Sequence, residues 1–350
     1  MSCTVGNVEI FMGPQQCGGP DDLKKAIVDF IDGAHKYLDI AVQELDCLEI
    51  AEAIVRAKMR KVRVRVVLEG DYLKFGRPKT KPFSSHPRKG LETNLEIQNA
   101  LLRAAIDVKS DYNPNIFHQK FIVRDKTSLL TGSTNFTDTG ISTNLNHVVI
   151  IHDAGVAREY SREYAEIRQG RFGKWSIGHG DAPKEVSVSG VPIKVLFAPD
   201  HNPEMEIMKQ MVKAQRRIDF AVFTFARSSG IDDTMIKLAQ SGLQITGILD
   251  GTMASQKWAP IKTVAAAGAS LFTIPKGQGV RKLHHKIMVL DERVVIAGSF
   301  NYTKPATMLN DENILVIGDM HSGDEQGQRT LAASVLAEIE RIRTSYGRKA

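Results

Sequence analysis

The stretch FHQKFIVRDKTSLLTGSTNF (Phe117–Phe136) decides the fold, because it returns later in the chain as LHHKIMVLDERVVIAGSFN (Leu283–Asn301). Each copy has a histidine, one residue, a lysine, four residues, an aspartate, six residues and then Gly-Ser-x-Asn. The matched positions are His118, Lys120, Asp125, Gly132, Ser133 and Asn135 in the first copy and His284, Lys286, Asp291, Gly298, Ser299 and Asn301 in the second. The identical spacing indicates an internal duplication that carries a function.

Each copy predicts two strands joined by a tight turn, since the residues between the motif positions are apolar and β-branched. Residues two apart on a strand face the same way. The histidine and lysine of each copy should therefore project together, whereas Gln119 and His285 should point to the opposite face. One such copy alone would be typical of a surface strand with two polar side chains.

The paired H-x-K-x4-D motifs followed by G-S-x-N resemble the signature of the phospholipase D superfamily, and the resemblance covers both halves of the chain. It implies two similar α/β halves related by a pseudo-two-fold axis, with one active site between them. It also implies phosphodiester chemistry in a nuclease-like member, but the motif itself does not specify the substrate.

The duplication extends beyond the motifs. Four other segments return in the second half: VEIFMGP (8–14) as IKVLFAP (193–199), the helical stretch 21–36 as 203–217, LDIAVQEL (38–45) as IDFAVFTF (218–225), and VRVVLEG (64–70) as ITGILDG (245–251). Apolar strands alternating with helices predict, in each half, a mixed sheet covered by helices on both faces. We expect a first half at 1–170, a linker rich in Gly, Ser and Pro at 171–192, and a second half at 193–350. The last helix of each half, 154–168 and 327–346, is expected to serve packing.

Composition is that of an ordinary globular protein: 350 residues, 42% hydrophobic and 25% charged. The net charge of +6 fits a polyanionic partner. Three cysteines without metal-ligand spacing indicate reduced thiols in an intracellular protein. Neither a signal peptide nor an apolar run long enough for a membrane span is evident, so we expect a cytoplasmic protein without membrane contact.

Phosphodiester cleavage needs a nucleophile, charge stabilisation on the phosphoryl oxygens and an acid for the leaving oxygen. Imidazole suits the first and last roles, and two lysines can hold the oxygens as point charges. Hydroxyl and amide donors complete the predicted cradle: Ser133, Ser299, Asn135 and Asn301. The resemblance implies a covalent phosphohistidine. No metal or other cofactor is expected. Asp125 and Asp291 are expected to fix neighbouring strands and lysines.

The two halves differ eleven residues after the motif asparagine, where the second half has Glu312 and the first has Asn146. In the family, a glutamate at this spacing contacts the catalytic histidine. A carboxylate favours a protonated ring and an amide does not. We therefore predict His284, backed by Glu312, as general acid, and His118, backed by Asn146, as nucleophile. Neutral drift at a supporting position is the alternative.

Three functions are compatible with the motifs. A nuclease acting on DNA, or on RNA, is favoured over a phospholipase or phosphatidyltransferase, and over a nucleic-acid-binding module with vestigial catalysis. We also expect that one chain suffices for the active site. A nuclease in the cytoplasm needs restraint, which suggests a regulatory protein partner and a role in defence, restriction or repair.

A basic loop distinguishes the first half. Ala41 and Ala221 lie 180 residues apart but His118 and His284 only 166, so the first half holds fourteen more residues, around YLKFGRPKTKPFSSHPRKG. The basic residues of this loop are Lys74, Arg77, Lys79, Lys81, Arg88 and Lys89. Phenylalanines stand among them, and aromatic rings beside basic residues can stack on unpaired bases. The loop is predicted to guide a nucleic-acid backbone. A merely solvated loop is the alternative.

Overall fold

The structure, a computed structural model, describes residues 2–73, 91–178, 182–277 and 279–350. The predicted basic guide between Lys74 and Lys89 therefore lies outside the described residues. The same is true of His179 in the expected linker.

The first half alternates strands and helices. Its strands are β1 (Cys3–Val5), β2 (Val8–Gly13), β3 (Tyr37–Val42), β4 (Arg63–Leu68), β5 (Asp107–Ser110), β6 (Lys120–Arg124), β7 (Ser128–Gly132) and β8 (Asn144–Ile151). Its helices are α1 (Leu23–Asp32), α2 (Leu48–Met59), α3 (Leu91–Arg103), α4 (Asp138–Ser142) and α5 (Ala154–Arg168).

The second half repeats this order with small additions. Its strands are β9 (Glu185–Val188), β10 (Val191–Ala198), β11 (Arg217–Val222), β12 (Gln244–Asp250), β13 (Ser270–Ile274), β14 (Lys282–Leu283), β15 (Lys286–Leu290), β16 (Val294–Gly298), β17 (Glu312–Ile317) and β18 (Arg348–Lys349). Its helices are α6 (Pro203–Lys213), α7 (Gly230–Gln240), α8 (Gly251–Ala254), α9 (Ile261–Ala266), α10 (Lys304–Met308) and α11 (Glu325–Tyr346).

The two sheets have the same strand order. The first runs β1-β2-β8-β7-β6-β3-β4-β5, and the second runs β9-β10-β17-β16-β15-β11-β12-β13-β18. Both are mixed, since β3 and β11 each pair parallel with one neighbour and antiparallel with the motif strand on the other side. The predicted duplicated α/β fold is confirmed.

Alternation along the motif strands builds three apolar layers. On β6, Phe121 and Val123 face a central core between the halves, while Ile122 faces the outer core of the first half. Ile287 and Met288 divide in the same way between the central core and the outer core of the second half. Because α5 and α11 contribute to the central core, the prediction that they serve packing is confirmed.

The expected linker is shorter than the stretch 171–192. Glu185–Val188 forms β9, which pairs antiparallel with β10 across a turn at Ser189 and Gly190. Both turn residues have a positive φ, as tight hairpins require. The part of the stretch from Glu185 onward therefore belongs to the second sheet.

The motif aspartates anchor the turns of the two hairpins. Asp125 and Asp291 both have a positive φ, 54° and 49°, and begin the tight turns. The Asp125 carboxylate accepts the backbone N–H groups of His35, Lys36 and Tyr37. Asp291 accepts the matching three N–H groups, those of residues 215–217. Each carboxylate thus ties its hairpin to the start of β3 or β11.

The Asp125→Asn variant should unfold more easily by about 1–3 kcal/mol, because an amide offers fewer acceptor sites to three backbone donors while it still tolerates positive φ. Urea unfolding at pH 7 measures the loss. A matched carboxylate-to-amide change on the exposed side of α2, Glu52→Gln, should stay within about 0.5 kcal/mol. Equal effects of the two variants would contradict the anchoring role.

The pH dependence of this difference has a definite sign. Burial alone would raise the pKa of the Asp125 carboxyl, but the three backbone donors lower it below its ordinary value. A lowered folded-state pKa stabilises the protein above the unfolded pKa, and the contribution is lost as the pH falls through the folded value. The difference in unfolding free energy between the wild type and Asp125→Asn should therefore decrease as the pH is lowered.

Candidate functional site

Backbone pairing across the two halves places each motif histidine beside the other half's sheet. Strand β14 leaves the second half and pairs parallel with β8, with Leu283 opposite Leu145. The backbone N–H of His284 then donates to the carbonyl of Leu145 at 2.9 Å. In the mirrored contact the N–H of His118 donates to the carbonyl of Asp311, also at 2.9 Å.

The side-chain partners of the histidines are therefore exchanged between the halves. Nδ1 of His118 lies 2.6 Å from the Glu312 carboxylate, and Nδ1 of His284 lies 2.9 Å from Oδ1 of Asn146. The prediction that Glu312 backs His284 and Asn146 backs His118 was wrong. The prediction failed because it paired residues within one copy of the motif. The strand pairing between the two halves instead brings each histidine next to the polar residue of the other copy.

The motif serines hold these partners in place. Ser133 donates its hydroxyl to Oδ1 of Asn146 at 2.8 Å, and Ser299 donates to Glu312 at 2.6 Å. Both serines are fully buried, so their hydroxyls do not reach a substrate. The prediction that they donate to the phosphoryl oxygens was wrong, because their bonds are already made within the protein.

Hydrogen bonds define the tautomers of both rings. The amide of Asn146 donates to the carbonyl of Gly140 at 2.8 Å, so its oxygen faces His284. An amide oxygen and a carboxylate both accept. Nδ1 therefore carries the proton on His284 and on His118, and Nε2 of each ring holds the lone pair that faces the site.

The motif lysines lie beside the histidines of their own copies. Nζ of Lys120 donates to the carbonyl of His118 at 2.8 Å and to Gln43 at 3.2 Å. Nζ of Lys286 donates to the carbonyl of His284 at 2.8 Å. Burial lowers the pKa of Lys120 to about 7, and burial together with the charge of Lys120 lowers the pKa of Lys286 well below its ordinary value.

The electrostatics join these four groups into one site. Burial lowers the pKa of His118 to about 4, although Glu312 opposes the shift. Burial, followed by the charges of Lys286 and Lys120, lowers the pKa of His284 well below its ordinary value. Both rings are thus neutral near pH 7 before an anion binds. A phosphate bound among the cationic lysines would offset the repulsion between these lysines and a protonated ring.

The two motif asparagines are half-buried but differently engaged. Asn135 donates its amide to Glu44 at 3.0 Å. Asn301 accepts the backbone N–H of Thr224 at 3.3 Å, and its own amide N–H groups find no acceptor among the described residues. Asn301 is therefore the motif amide with free donors for a phosphoryl oxygen.

Several residues around the site were not predicted. Glu69 accepts the backbone N–H of Phe117 at 2.6 Å, and Asp250 accepts that of Leu283 at 3.2 Å, so matching carboxylates orient the residue before each histidine. Their signal was visible in the sequence, since each is the next-to-last residue of the matched segments VRVVLEG and ITGILDG. Phe223, whose ring centroid lies 5.1 Å from that of His284, had no such signal because its counterpart is Gln43.

One group of described residues has metal-ligand geometry, and it lies apart from the histidines. Cys47, Glu49 and Asp138 place one ligand atom each within 4.8 Å of one another. Glu49 is already paired with Lys24 at 2.7 Å. Burial raises the pKa of the Cys47 thiol to about 12, which disfavours the thiolate that a metal needs. The group is a poor metal site.

The duplicated α/β halves together supply two histidines whose Nε2 lone pairs face the site and two buried lysines. This fold and this site define a phosphodiesterase-like protein of the phospholipase D superfamily. The chain belongs to the family described as "Cardiolipin synthase, PLD-like domain", whose sequence profile matches residues 27–168 and 207–341. Both motif copies fall inside the matched segments.

Curated relatives match about half of the chain or less. The chain is 25% identical over 194 residues to a mitochondrial cardiolipin hydrolase of Chlamydomonas reinhardtii, covering 48% of this chain and 85% of that protein. It is 30% identical over 145 residues to a phospholipase D of Rickettsia felis, covering 41% of this chain and 64% of that protein.

Solved structures share the whole duplicated fold. The phosphatidylserine synthase of Haemophilus influenzae matches with a TM-score of 0.69 at 15% identity, covering 100% of this chain and 89% of that one. Polyphosphate kinase of Porphyromonas gingivalis matches with a TM-score of 0.65 at 11% identity, covering 98% of this chain and 48% of that one. At these identities the likeness concerns the fold alone.

No helix in the described part of the chain has the length and apolar character needed to cross a membrane.

The Asn146→Asp variant should raise the pKa of His284, because a carboxylate then replaces an amide at 2.9 Å from Nδ1 and favours the protonated ring. Nitrogen NMR of labelled histidine as a function of pH measures the change. His118, whose carboxylate partner is untouched, serves as the internal control. A shift of His118 instead of His284 would contradict the exchanged pairing.

Proposed function

We propose that the protein is a metal-independent phosphodiesterase that hydrolyses nucleic acid, DNA before RNA, through a covalent phosphohistidine. The observation that supports the chemistry is the pair of buried histidines with inward Nε2 lone pairs, each backed by a different acceptor. The cationic wall beside His284, described below, supports the substrate class.

In the first step of the proposed reaction, Nε2 of His118 attacks the phosphorus atom. The N–P bond forms as the bond between phosphorus and the leaving oxygen breaks, and His284 donates a proton from Nε2 to that oxygen. Binding of the anionic diester favours protonation of His284 beforehand, because it offsets the cationic lysines around the ring.

In the second step, a water molecule replaces the departed group. His284, now neutral, accepts a proton from the water as its oxygen bonds to phosphorus and the N–P bond breaks. The products are a phosphomonoester and the free His118. Lys120 and Lys286 stabilise the phosphoryl oxygens in both steps, and the amide of Asn301 adds a neutral donor.

The exchanged partners change the reason for this assignment but keep the roles of the histidines. A phosphorylated imidazole carries a positive charge, and His118 is the ring whose Nδ1–H donates to a carboxylate, at 2.6 Å from Glu312. That carboxylate stabilises the charged intermediate as the buried aspartate of a catalytic triad stabilises imidazolium. His284 has only a neutral amide behind it, so it returns its proton readily.

Charge and compartment support the nucleic-acid proposal. The chain has a net charge of +6, and basic side chains lie beside the catalytic groups. The cysteines Cys3, Cys17 and Cys47 are unpaired, which supports a reducing compartment, and we extend the proposal to the cytoplasm.

A phospholipid is the second candidate substrate. The matched relatives are named for cardiolipin and phospholipid hydrolysis. Several large apolar side chains are also exposed, among them Tyr112, Ile116, Trp175 and Leu309. These residues lie on connected segments, since Asn113 donates to the carbonyl of Leu309 at 3.2 Å.

The purified protein, incubated with EDTA, separates the candidates when offered single-stranded DNA, duplex DNA, RNA, phosphatidylcholine vesicles and cardiolipin vesicles. Cleavage of a nucleic acid without lipid turnover supports the proposal, and lipid turnover alone overturns it. Loss of all cleavage on addition of EDTA would overturn the metal-independent mechanism.

Quenching a reaction in the steady state and analysing the peptides by mass spectrometry should find the phosphoryl adduct on His118. The His284→Gln variant should cleave DNA about 10²- to 10⁴-fold more slowly, since general acid catalysis is worth that much. It should still accumulate adduct with a p-nitrophenyl diester, whose leaving group needs no proton.

A matched control for this experiment is His152→Gln, which removes an imidazole that pairs with Glu9 away from the site. This variant should retain DNA cleavage. Adduct on His284 in the wild-type protein would reverse the two roles.

A further inference from the structure

A cavity opens beside His284 on the second-half side of the site. It has a volume of about 490 Å³, and its walls include Phe223, Asp250, Lys276, Arg281 and Lys282. Binding sites for small ligands fall in this range of sizes, about 300–1,000 Å³. The cavity is therefore large enough for a group the size of a nucleotide.

The ring of Phe223 connects this cavity to the catalytic groups. Its centroid lies 5.1 Å from that of His284. Nζ of Lys286 lies 5.5 Å from the same centroid, and Nζ of Lys282 lies 5.3 Å from it. The part of a substrate that extends from the phosphorus atom on the His284 side must therefore pass the face of this aromatic ring and reach Lys282.

The cavity carries an excess of positive charge. Lys276 and Arg281 are exposed, Lys282 is half-buried, and none of the three forms an ion pair with a described residue. Asp250 is the acidic residue in the wall. Its carboxylate oxygens accept the backbone N–H groups of Thr252, Met253 and Leu283, so they face the backbone. Free cations around an open cavity are suited to a phosphate.

The described residues of the first half (2–73 and 91–170) hold no equivalent of this cationic wall. The residues that precede His118 at the positions of Arg281 and Lys282 are Asn115 and Ile116, and Gln43 stands at the position of Phe223. Glu44, which accepts from Asn135, occupies the position of Thr224. Among the residues that the structure describes, a polyanionic substrate therefore finds a second phosphate site on one side of the scissile bond only.

We propose that the Phe223–Arg281–Lys282 cavity is the leaving-group subsite, which binds the phosphate next to the scissile one and packs its base or sugar on Phe223. This inference rests on the proposed function. His284, whose ring lies 5.1 Å from that of Phe223 in the cavity wall, protonates the leaving oxygen. The nucleic-acid segment in the cavity therefore departs in the first step. The nucleic-acid segment on the other side of the scissile bond stays attached to His118 through its phosphate until water releases it.

Three small substrates test the subsite: the dinucleotide TpT, and TpT with one extra phosphate at its 5′ end or at its 3′ end. One of the two extended substrates, and only one, should have a kcat/KM about tenfold above that of TpT, as one charge-assisted contact provides. In the variants Arg281→Gln and Arg281→Gln/Lys282→Gln this ratio should fall toward one.

The matched control is Lys237→Gln, the same change of charge at the end of α7, in the same half but before β12 rather than after it. It should keep the tenfold ratio. Because each variant is judged by a ratio of two substrates, partial misfolding does not mimic the expected result.

The covalent adduct supplies an independent readout. With the favoured substrate, the His118 peptide should carry one nucleoside phosphate without the extra phosphate. An adduct that contains the extra phosphate, equal gains from both extended substrates, or a ratio unchanged in the double variant would overturn the subsite. Failure to cleave any of the three substrates, with turnover of phospholipid, would overturn the proposed function itself.

Discussion

Two buried hydrogen bonds that cross between the halves hold the site together: Nδ1–H of His118 donates to Glu312, and Nδ1–H of His284 donates to Oδ1 of Asn146. A buried polar group left without its partner costs about 1–3 kcal/mol, so neither half can present its histidine correctly alone. Behind them, Gln119 bonds to Asn313 at 2.7 Å. The matching contact on the other side of the pseudo-two-fold axis is the stacked ring pair of His147 and His285. The contacts that assemble the central core between the halves therefore also assemble the site.

The duplication is strict where it builds the scaffold and relaxed where chemistry requires a difference. Gly132 and Gly298 are retained because a Cβ at either position would lie 2.3 Å from a carbonyl oxygen of the neighbouring strand. Behind the histidines, by contrast, a carboxylate stands in one half and an amide in the other. In the proposed mechanism the nucleophile becomes positively charged and needs an anion behind it, whereas the acid must release its proton and does not.

The succession of strands and helices along each half and the motif hairpins could be predicted because they depend on periodicity, which short stretches of sequence display. The partner of each histidine could not, because spacing within a copy says nothing about which half contributes the neighbouring strand. The parallel pairing of β14 with β8 covers only Lys282 and Leu283 opposite Asn144 and Leu145, too short a segment to stand out. The serines were misjudged for a different reason: their acceptors lie thirteen residues away in the same half and become neighbours only in the folded sheet.

A site built by duplication has an inherent ambiguity, because a symmetric site would accept its substrate in two opposite orientations with the histidine roles exchanged. The walls of this site remove that symmetry. On the first-half side, burial raises the pKa of Glu69 to about 7 and that of Asp311 to about 7, and each accepts a backbone N–H. On the second-half side the cavity is rimmed by cations that form no ion pair with a described residue. In the proposed mechanism a polyanionic substrate binds with its charged arm over His284, which is the orientation that the carboxylate behind His118 also favours.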